Sequence, residues 1–560
     1  MKYFWVSFFM ILSSLSFAAN PAINQVGFFP KGSKQFIIPG SDANPVEIIE
    51  ITSKKSVLTL EAPYVYEYED SGEEVQAFDI SALETEGTYQ ILRNGEILGN
   101  PFQIGEKVYD ELTKAALKWF YFQRAGLALE AKYAGLFARA LGHADTSVQV
   151  YGETRTISAR KGWYDAGDYG KYIVNSGITV ATLLDFYENY SDYAKNISLN
   201  IPREFKNLPE ILEEIRWNLD WMLSMQDSDG SVFHKLTSLN FCGNIMPDKD
   251  LAKRFAIGKG ITAALDFSGV MAHAYRIYKP FDEKYANKML EASKKAYAWA
   301  KKNPKNIYKQ PSDVFTGSYM PGKEDGKDEF RYAAAELFFA TKDKKYLKDL
   351  KANPFTPNGP WWGDMNFFAV FRAANNPAFG DELAKKAKDI LLNEANQLVK
   401  RYDSLIYHIP MHPWNWNWGS NSAIANNGMI LLHAYKMTKN KKYLKAAEES
   451  LSYLLGKNPM KISYVTGFGY HSPLNPHHRP SIADNVDKPI PGMLVGGPHL
   501  GKQDIGPESW QCTDYASANK PALAYADDIC SYATNEVAIN WNAPLVYLAG
   551  ALEAIYEKEK

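Results

Sequence analysis

Three segments of this 560-residue chain carry acidic, imidazole and guanidinium groups at spacings that could do chemistry. The first is GWYDAGDYGKY, residues 162–172, where Asp165 and Asp168 stand three apart across Ala-Gly. Two carboxylates in such a loop can hold a water between them, one taking its proton while the other orients it. The same spacing also serves as an Asx-turn or a helix cap. The second, SYVTGFGYHSPLNPHHRPS at 463–481, crowds His471, His477, His478 and Arg479 into a Pro-rich loop that reads as neither helix nor strand. Adjacent imidazoles point apart in an extended chain and no cysteine lies nearby, so one shared metal is disfavoured. Hydrogen bonding to a polyhydroxylated or anionic ligand fits these residue types, and so does a structural loop. The third, YADDICSYATNEVAINWNAPLVYLAGALEAIYE at 525–557, places Asp527, Asp528 and Glu536 ahead of the last helix. There Asn542 reads as an N-cap, with Pro544 in the first turn and Leu545, Leu548, Ala549, Leu552 and Ile555 as the buried face. Glu536 sits among Tyr532, Val537, Ile539 and Trp541, an apolar setting that should raise its pKa. A carboxyl kept protonated near neutrality can protonate a leaving oxygen. A solvent-facing loop glutamate is the plain alternative.

The elements that must position these segments change character once, near residue 105. From about Asn24 to Ile104 the runs KQFIIPG, VEIIEIT, YVYEYED, VQAFDI and GTYQILRNGEILGNPFQI are β-branched or alternate with period two, with Asn94-Gly95 as a hairpin signal. They predict a small β-sandwich. Beyond Glu106 apolar residues recur at three and four in ELTKAALKWFYFQRAGLALEAK, LPEILEEIRWNLDWMLSMQ, GITAALDFSGVMAHAYRIY and five later stretches. Ten to twelve helices fit, joined by short and long loops in alternation. No fixed-length repeat is visible, which disfavours a solenoid and leaves a closed α/α ring ahead of a simple bundle.

Composition narrows the partner. With 62 Lys and Arg against 64 Asp and Glu, the chain has no basic excess for nucleic acid. The 35 Tyr, 29 Phe and 13 Trp exceed ordinary use. Core packing absorbs most such rings, and stacking on sugar faces, with Trp163 as a candidate, is the other use. Lys2, the apolar run YFWVSFFMIL and the small-residue exit SSLSFAA form a secretory signal at 1–18 with cleavage after Ala18, so export is expected, with no membrane association beyond that signal. In an oxidising compartment three cysteines permit one disulfide. Cys512 and Cys530 are the favoured pair, with Cys242 buried and inert.

Taken together and in this order, the three segments resemble the signature blocks of the family-nine glycoside hydrolases, mostly β-1,4-glucanases. SMQDSDGSVFHKLTSLNFCGNIMPDKD, DEFRYAAAELFFATKD and WGSNSAIANNGMILLHAY are similar to that family as well, and INQVGFFPKGSKQFII resembles the immunoglobulin-like module preceding the catalytic ring in one branch. The resemblance implies a mainly α chain: an (α/α)6 barrel over 106–560 preceded by an all-β immunoglobulin-like sandwich over 19–105. It implies an inverting endo-β-1,4-glucanase, with Glu536 as general acid, Asp168 as general base and Asp165 sharing the water. It also implies His477 and Arg479 on the sugar beside the cleavage point, and Asp527 and Tyr532 shaping the site around the acid. Many members hold a zinc with Cys and His residues before the first motif. Here only His143 remains in that stretch, so no zinc is expected. Asp328, Glu329 and Asp364 resemble positions that supply oxygen ligands to a structural calcium, and adjacent carboxylates at a helix start are also ordinary dipole partners. The expected partner is a cellulose-like or mixed-linkage β-glucan, and the expected state a monomer. An exo-acting cellobiohydrolase, an exo-glucosaminidase, a non-catalytic glycan-binding protein and a metal-dependent hydrolase built on His477 and His478 are the rival readings.

Overall fold

The computed structural model describes residues 20–320, 326–515 and 520–558; the proposed signal at 1–18 lies outside them. Eight strands come first. Ala22–Ile23 (β1), Gln35–Pro39 (β2), Glu73–Asp79 (β6) and Tyr66–Tyr68 (β5) form one antiparallel sheet in the order β1-β2-β6-β5. Lys55–Leu60 (β4), Val46–Glu50 (β3), Gly87–Arg93 (β7) and Glu96–Ile104 (β8) form the other, in the order β4-β3-β7-β8. The β7–β8 hairpin turns at Asn94 and Gly95, with φ of 55° and 77°, the left-handed pair that such a tight turn demands. Phe36, Ile38, Val46, Ile48, Phe78, Tyr89, Ile91 and Phe102 fill the space between the sheets. Ile37, between two of those residues on β2, faces the other way and joins the core of the helical part. The sandwich is thereby braced on the ring. Phe29 stacks on Tyr556 at 4.2 Å, Tyr68 packs against Tyr407 at 4.9 Å, and the Ser33 hydroxyl donates to Glu449 at 2.6 Å.

Twelve long helices follow among the described residues: Asp110–Phe122 (α1), Ile173–Asn189 (α2), Glu210–Ser224 (α3), Ile261–Tyr278 (α4), Glu283–Lys302 (α5), Lys327–Thr341 (α6), Lys344–Ala352 (α7), Asn366–Ala373 (α8), Asp381–Ser404 (α9), Ser420–Thr438 (α10), Lys441–Leu454 (α11) and Ile539–Lys558 (α12). The even-numbered helices form an inner ring, and α2, α4, α10 and α12 are buried along nearly their whole length. Around the ring α2 meets α4, α4 meets α6, α6 meets α8, α10 meets α12 and α12 returns to α2. The circle closes between α8 and α10, where Phe371 stacks on His433 at 3.8 Å. This is an (α/α)6 barrel. Helices approach this closely only where a side chain is absent: a Cβ on Gly269 would fall 2.4 Å from the Tyr332 ring.

Connectivity decides where a site can form. Inner helices give way to outer ones at one end of the barrel, through short connections such as 279–282 and 439–440 and, from α2 to α3, through the longer 190–209. Outer helices return to inner ones through the long segments 123–172, 225–260, 303–326, 353–365, 405–419 and 455–538, which therefore all gather at the N-terminal ends of the inner helices. Those six ends carry positive partial charge, which favours anionic side chains there. At the opposite end the C-termini attract cations. Arg276 and Arg372 bind Glu188 and Glu336, and His433 binds Asp185 at 2.7 Å, knitting α2, α4, α6, α8 and α10 into a closed base.

Three expectations are corrected. The helical pattern of 111–132 stops at Phe122. The 463–481 loop contains a one-turn helix, Arg479–Ala483. Asn542 is not a cap, because α12 begins at Ile539; its Oδ1 accepts the Leu494 N–H at 2.8 Å and its Nδ2 donates to the Ala116 carbonyl at 2.7 Å, leaving Pro544 inside the helix. Tertiary partners outbid the local capping chemistry.

Candidate active site

The first and last long loops are stitched together at backbone level. The Ile539 N–H donates to the Asp165 carbonyl at 2.8 Å, and both the backbone N–H and Nη1 of Arg479 donate to the Gly167 carbonyl, at 3.2 and 2.8 Å. The His477 N–H donates to the Asn535 carbonyl at 2.9 Å, setting His477 beside Glu536 as one rung of parallel strand. Only glycine fits at 167, since a Cβ there would stand 2.2 Å from the His477 carbonyl oxygen. Asp165, Asp168, His477, Arg479, Asp527, Tyr532 and Glu536 are thus gathered at one end of the barrel.

The two aspartates differ in what remains open. Asp165 is 1% exposed, with Oδ1 accepting from Asn175 Nδ2 at 2.6 Å and Oδ2 from the Tyr319 hydroxyl at 2.6 Å. Burial, followed by the charge of Asp168, pushes its pKa up to about 8. Asp168 commits only Oδ2, which accepts from the Gly170 N–H at 2.9 Å and the Tyr172 hydroxyl at 3.0 Å. Its Oδ1 takes no hydrogen bond from the described residues and is left to solvent or ligand. Tyr172 is placed by a five-stranded sheet that the sequence pattern did not reveal: Lys171–Tyr172 is its edge strand, paired with Phe233–Thr237.

Glu536 is half-buried, and its pKa stands well above the ordinary carboxyl value, first through burial and then through repulsion by Asp168 and Asp165. The expected direction therefore holds, with charge repulsion added to the apolar setting. Asp527 accepts from the Leu474 and Asn475 N–H groups at 2.8 and 2.9 Å and from Asn535 Nδ2 at 3.0 Å, fixing the residue just before Glu536. Tyr532 is half-buried between the rings of Trp418, at 5.5 Å, and His477, at 6.1 Å. Facing a carbonyl acceptor, Ile529 O at 2.6 Å, His477 Nδ1 must carry the proton, and burial lowers its pKa. Its Nε2 is then an acceptor. His478 turns the opposite way, to Ser481 and Gln123, so the two imidazoles do not converge. Arg479 is mostly spent on the Cys242 and Gly167 carbonyls and serves the loop as much as any ligand.

Trp163 is corrected outright: it is 0% exposed, donates Nε1–H to Glu214 at 2.9 Å and cannot touch a ligand. Cys512 and Cys530 are disulfide-bonded. Cys242 is half-buried rather than buried, and burial pushes its thiol up to about 11, which keeps it protonated. His143 bonds Tyr164 at 2.8 Å and Asp250 at 3.2 Å. Asp328, Glu329 and Asp364 do come together with Asp266, and all four carboxyls are raised by burial, Asp364 to about 7. Both Asp266 oxygens and Glu329 Oε2 are buried without partners, which is donor chemistry suited to a hard cation. Among the described residues, however, no three His, Cys, Asp or Glu side chains converge on a point that could hold a metal ion. The residues missed from sequence are Asn175, Tyr172, Tyr319 and Trp418; Tyr319 and Trp418 are brought in by ring closure, and Asn175 by the first turn of α2. Only Tyr172, four positions after Asp168, had a local signal.

The family model for Glycosyl hydrolase family 9 matches residues 109–549, and that for the Cellulase N-terminal ig-like domain matches residues 18–96. The chain is similar to the xyloglucan-specific endo-beta-1,4-glucanase BoGH9A of Bacteroides ovatus, at 36% identity over 98% of each chain. It is similar to endoglucanase D of Acetivibrio thermocellus at 33% identity, covering 97% of this chain and 85% of the relative. Among solved structures, AaCel9A in complex with cellobiose-like isofagomine superposes with a TM-score of 0.86 and 31% identity, covering 95% of this chain and 99% of that one.

Proposed function

The chain belongs to glycosyl hydrolase family 9 and is a glycoside hydrolase, and from that premise we propose that it is a secreted, monomeric endo-β-1,4-glucanase acting with inversion on cellulose-like, mixed-linkage or xyloglucan chains. Glu536, protonated near neutrality, donates its proton to the glycosidic oxygen. Asp168, through its open Oδ1, takes a proton from a water on the other face of the sugar, and the buried carboxyl of Asp165 shares that water. Inversion requires roughly 6.5–9.5 Å between the acid and the base, so that the water fits beneath the anomeric carbon. His477 Nε2 accepts from a sugar hydroxyl next to the scissile bond, and Tyr532 with Trp418 forms the wall behind it.

One observation carries this reading: a half-buried glutamate with a raised pKa lies where two long loops are bonded to each other, beside an aspartate with one uncommitted oxygen. Proton NMR of cello-oligosaccharide digestion tests it. The first product should carry the α configuration at its new reducing end, appearing before mutarotation. Early accumulation of the β anomer would reject inversion. The lengths of the products separate endo action from stepwise release of cellobiose.

We propose as well a structural calcium that would draw together Asp328, Glu329, Asp364 and Asp266, whose carboxyls do not converge on one point without it; the buried unpartnered oxygens of Asp266 and Glu329 support this. The ion would supply positive charge to carboxylates that otherwise repel one another. On that account EDTA should lower the thermal unfolding midpoint by several degrees and added calcium should restore it; identical midpoints with and without chelator would remove the ion from the account.

A further inference from the structure

The loop joining α9 to α10 contains Trp414-Asn415-Trp416-Asn417-Trp418, and only its last ring belongs to the site described above. Trp416 packs partly buried against the core, whereas Trp414 is 69% exposed. A lone exposed aromatic needs no explanation by itself. What distinguishes Trp414 is that it is held. One face of its ring lies flat on the His412 imidazole, with centroids 4.3 Å apart and 8° between planes. His412 is 7% exposed and its Nε2 is bonded to Glu394 Oε1 on α9 at 2.8 Å. The His412 N–H donates to Asn415 Oδ1 at 3.2 Å, the Asn415 N–H returns to the His412 carbonyl at 3.0 Å, and Pro413 stiffens the turn between them. A polar, buried and doubly anchored imidazole thus backs an indole whose other face is open to water.

We propose that Trp414, backed by His412 and Glu394, is a stacking platform for a remote glucosyl unit of the substrate, extending the cleft beyond the Trp418–Tyr532 wall; this rests on the reading of the site as a glucanase. The loop is one of the six that gather at the N-terminal ends of the inner helices, so the platform lies on the same end of the barrel as Glu536. Four residues separate Trp414 from Trp418, a span of at most about 14 Å, or about two to three glucosyl units. A pyranose presents a flat face of C–H groups that a rigid indole matches without having to be ordered on binding.

The test compares a long and a short substrate. Trp414→Ala should lower kcat/KM on cellohexaose by about five- to tenfold, through KM, while leaving turnover of an aryl β-cellobioside unchanged. Trp414→Phe should recover most of the loss, and His412→Ala should reproduce part of it by freeing the ring. Calorimetric binding of cellohexaose to Glu536→Gln, with and without Trp414→Ala, gives the same comparison without turnover. Equal activity of Trp414→Ala on the hexaose, or an equal loss on both substrates, would overturn the platform while leaving the catalytic assignment standing. An unaltered enzyme that cleaves no β-1,4-glucan would overturn the reading on which both depend.

Discussion

Replacing Glu536 by Gln is expected to cut kcat on unactivated β-1,4-glucans by about 10³-fold or more, equivalent to roughly 4 kcal/mol of transition-state stabilisation. The sugar alkoxide is a poor leaving group, and the amide has no proton to give it. The fold should survive, because the raised pKa of Glu536 favours the neutral carboxyl that the amide matches in charge and size. Stability provides a second, independent readout. The folded pKa of Glu536 is raised by burial and by Asp168 and Asp165, so the folded state keeps a proton that the unfolded chain releases above its ordinary carboxyl pKa of about 4.3. Such a group works against folding increasingly as pH climbs from that value through the folded pKa. Gln removes the term, so the unfolding midpoint of Glu536→Gln relative to wild type should rise with pH across this window. Activity of the wild type should fall on the alkaline side as Glu536 ionises. Near-normal glucan turnover in the variant would take the acid role from Glu536.

How much of this was legible in sequence divides along the distance between interacting residues. The Asn94-Gly95 hairpin, the alternation of Phe36 and Ile38, and most of the long helical stripes are local patterns, and they read correctly, the stripe of 111–132 excepted beyond Phe122. The eight-residue α8 and nine-residue α7 were too short for a period of 3.6 to declare itself, and the five-stranded sheet is made of strands of two to five residues. Asn542 shows a local rule defeated by long-range demand: its side chain satisfies Leu494 and Ala116, two groups no sequence window would include. At the site, the motif-bearing loops announced Asp165, Asp168 and Glu536 because each carries its own chemistry. Tyr319 did not. It reaches Asp165 from the third long loop with φ at +42°, an uncommon conformation for a bulky residue that the surrounding contacts hold in place. Trp163 failed in the opposite direction, since a tryptophan beside an aspartate pair looks like a sugar platform until its indole is found bonded to a buried Glu214.

Asp168→Asn should match the Glu536 variant in depth, a loss of about 10³-fold in kcat with KM little altered, and it should differ in how it responds to the leaving group. The side chain's orientation is fixed by its partners. Oδ2 accepts from two donors, the Gly170 N–H and the Tyr172 hydroxyl, so an Asn must place its carbonyl oxygen there. Its NH2 group then points where Oδ1 stood, presenting a donor to a water that needs an acceptor. Asp165→Asn suffers a different conflict, because both Asp165 oxygens already accept hydrogen bonds, and its effect should include a change in stability from opposing Tyr319 or Asn175. The decisive comparison uses an aryl cellobioside with a good leaving group. That substrate needs no protonation and should restore much of the rate to Glu536→Gln. Asp168→Asn should remain slow, since water must still be deprotonated whatever group departs. Rescue of both variants, or kcat for Asp168→Asn within about threefold of wild type, would move the base away from Asp168 and require another carboxylate on the far face of the sugar.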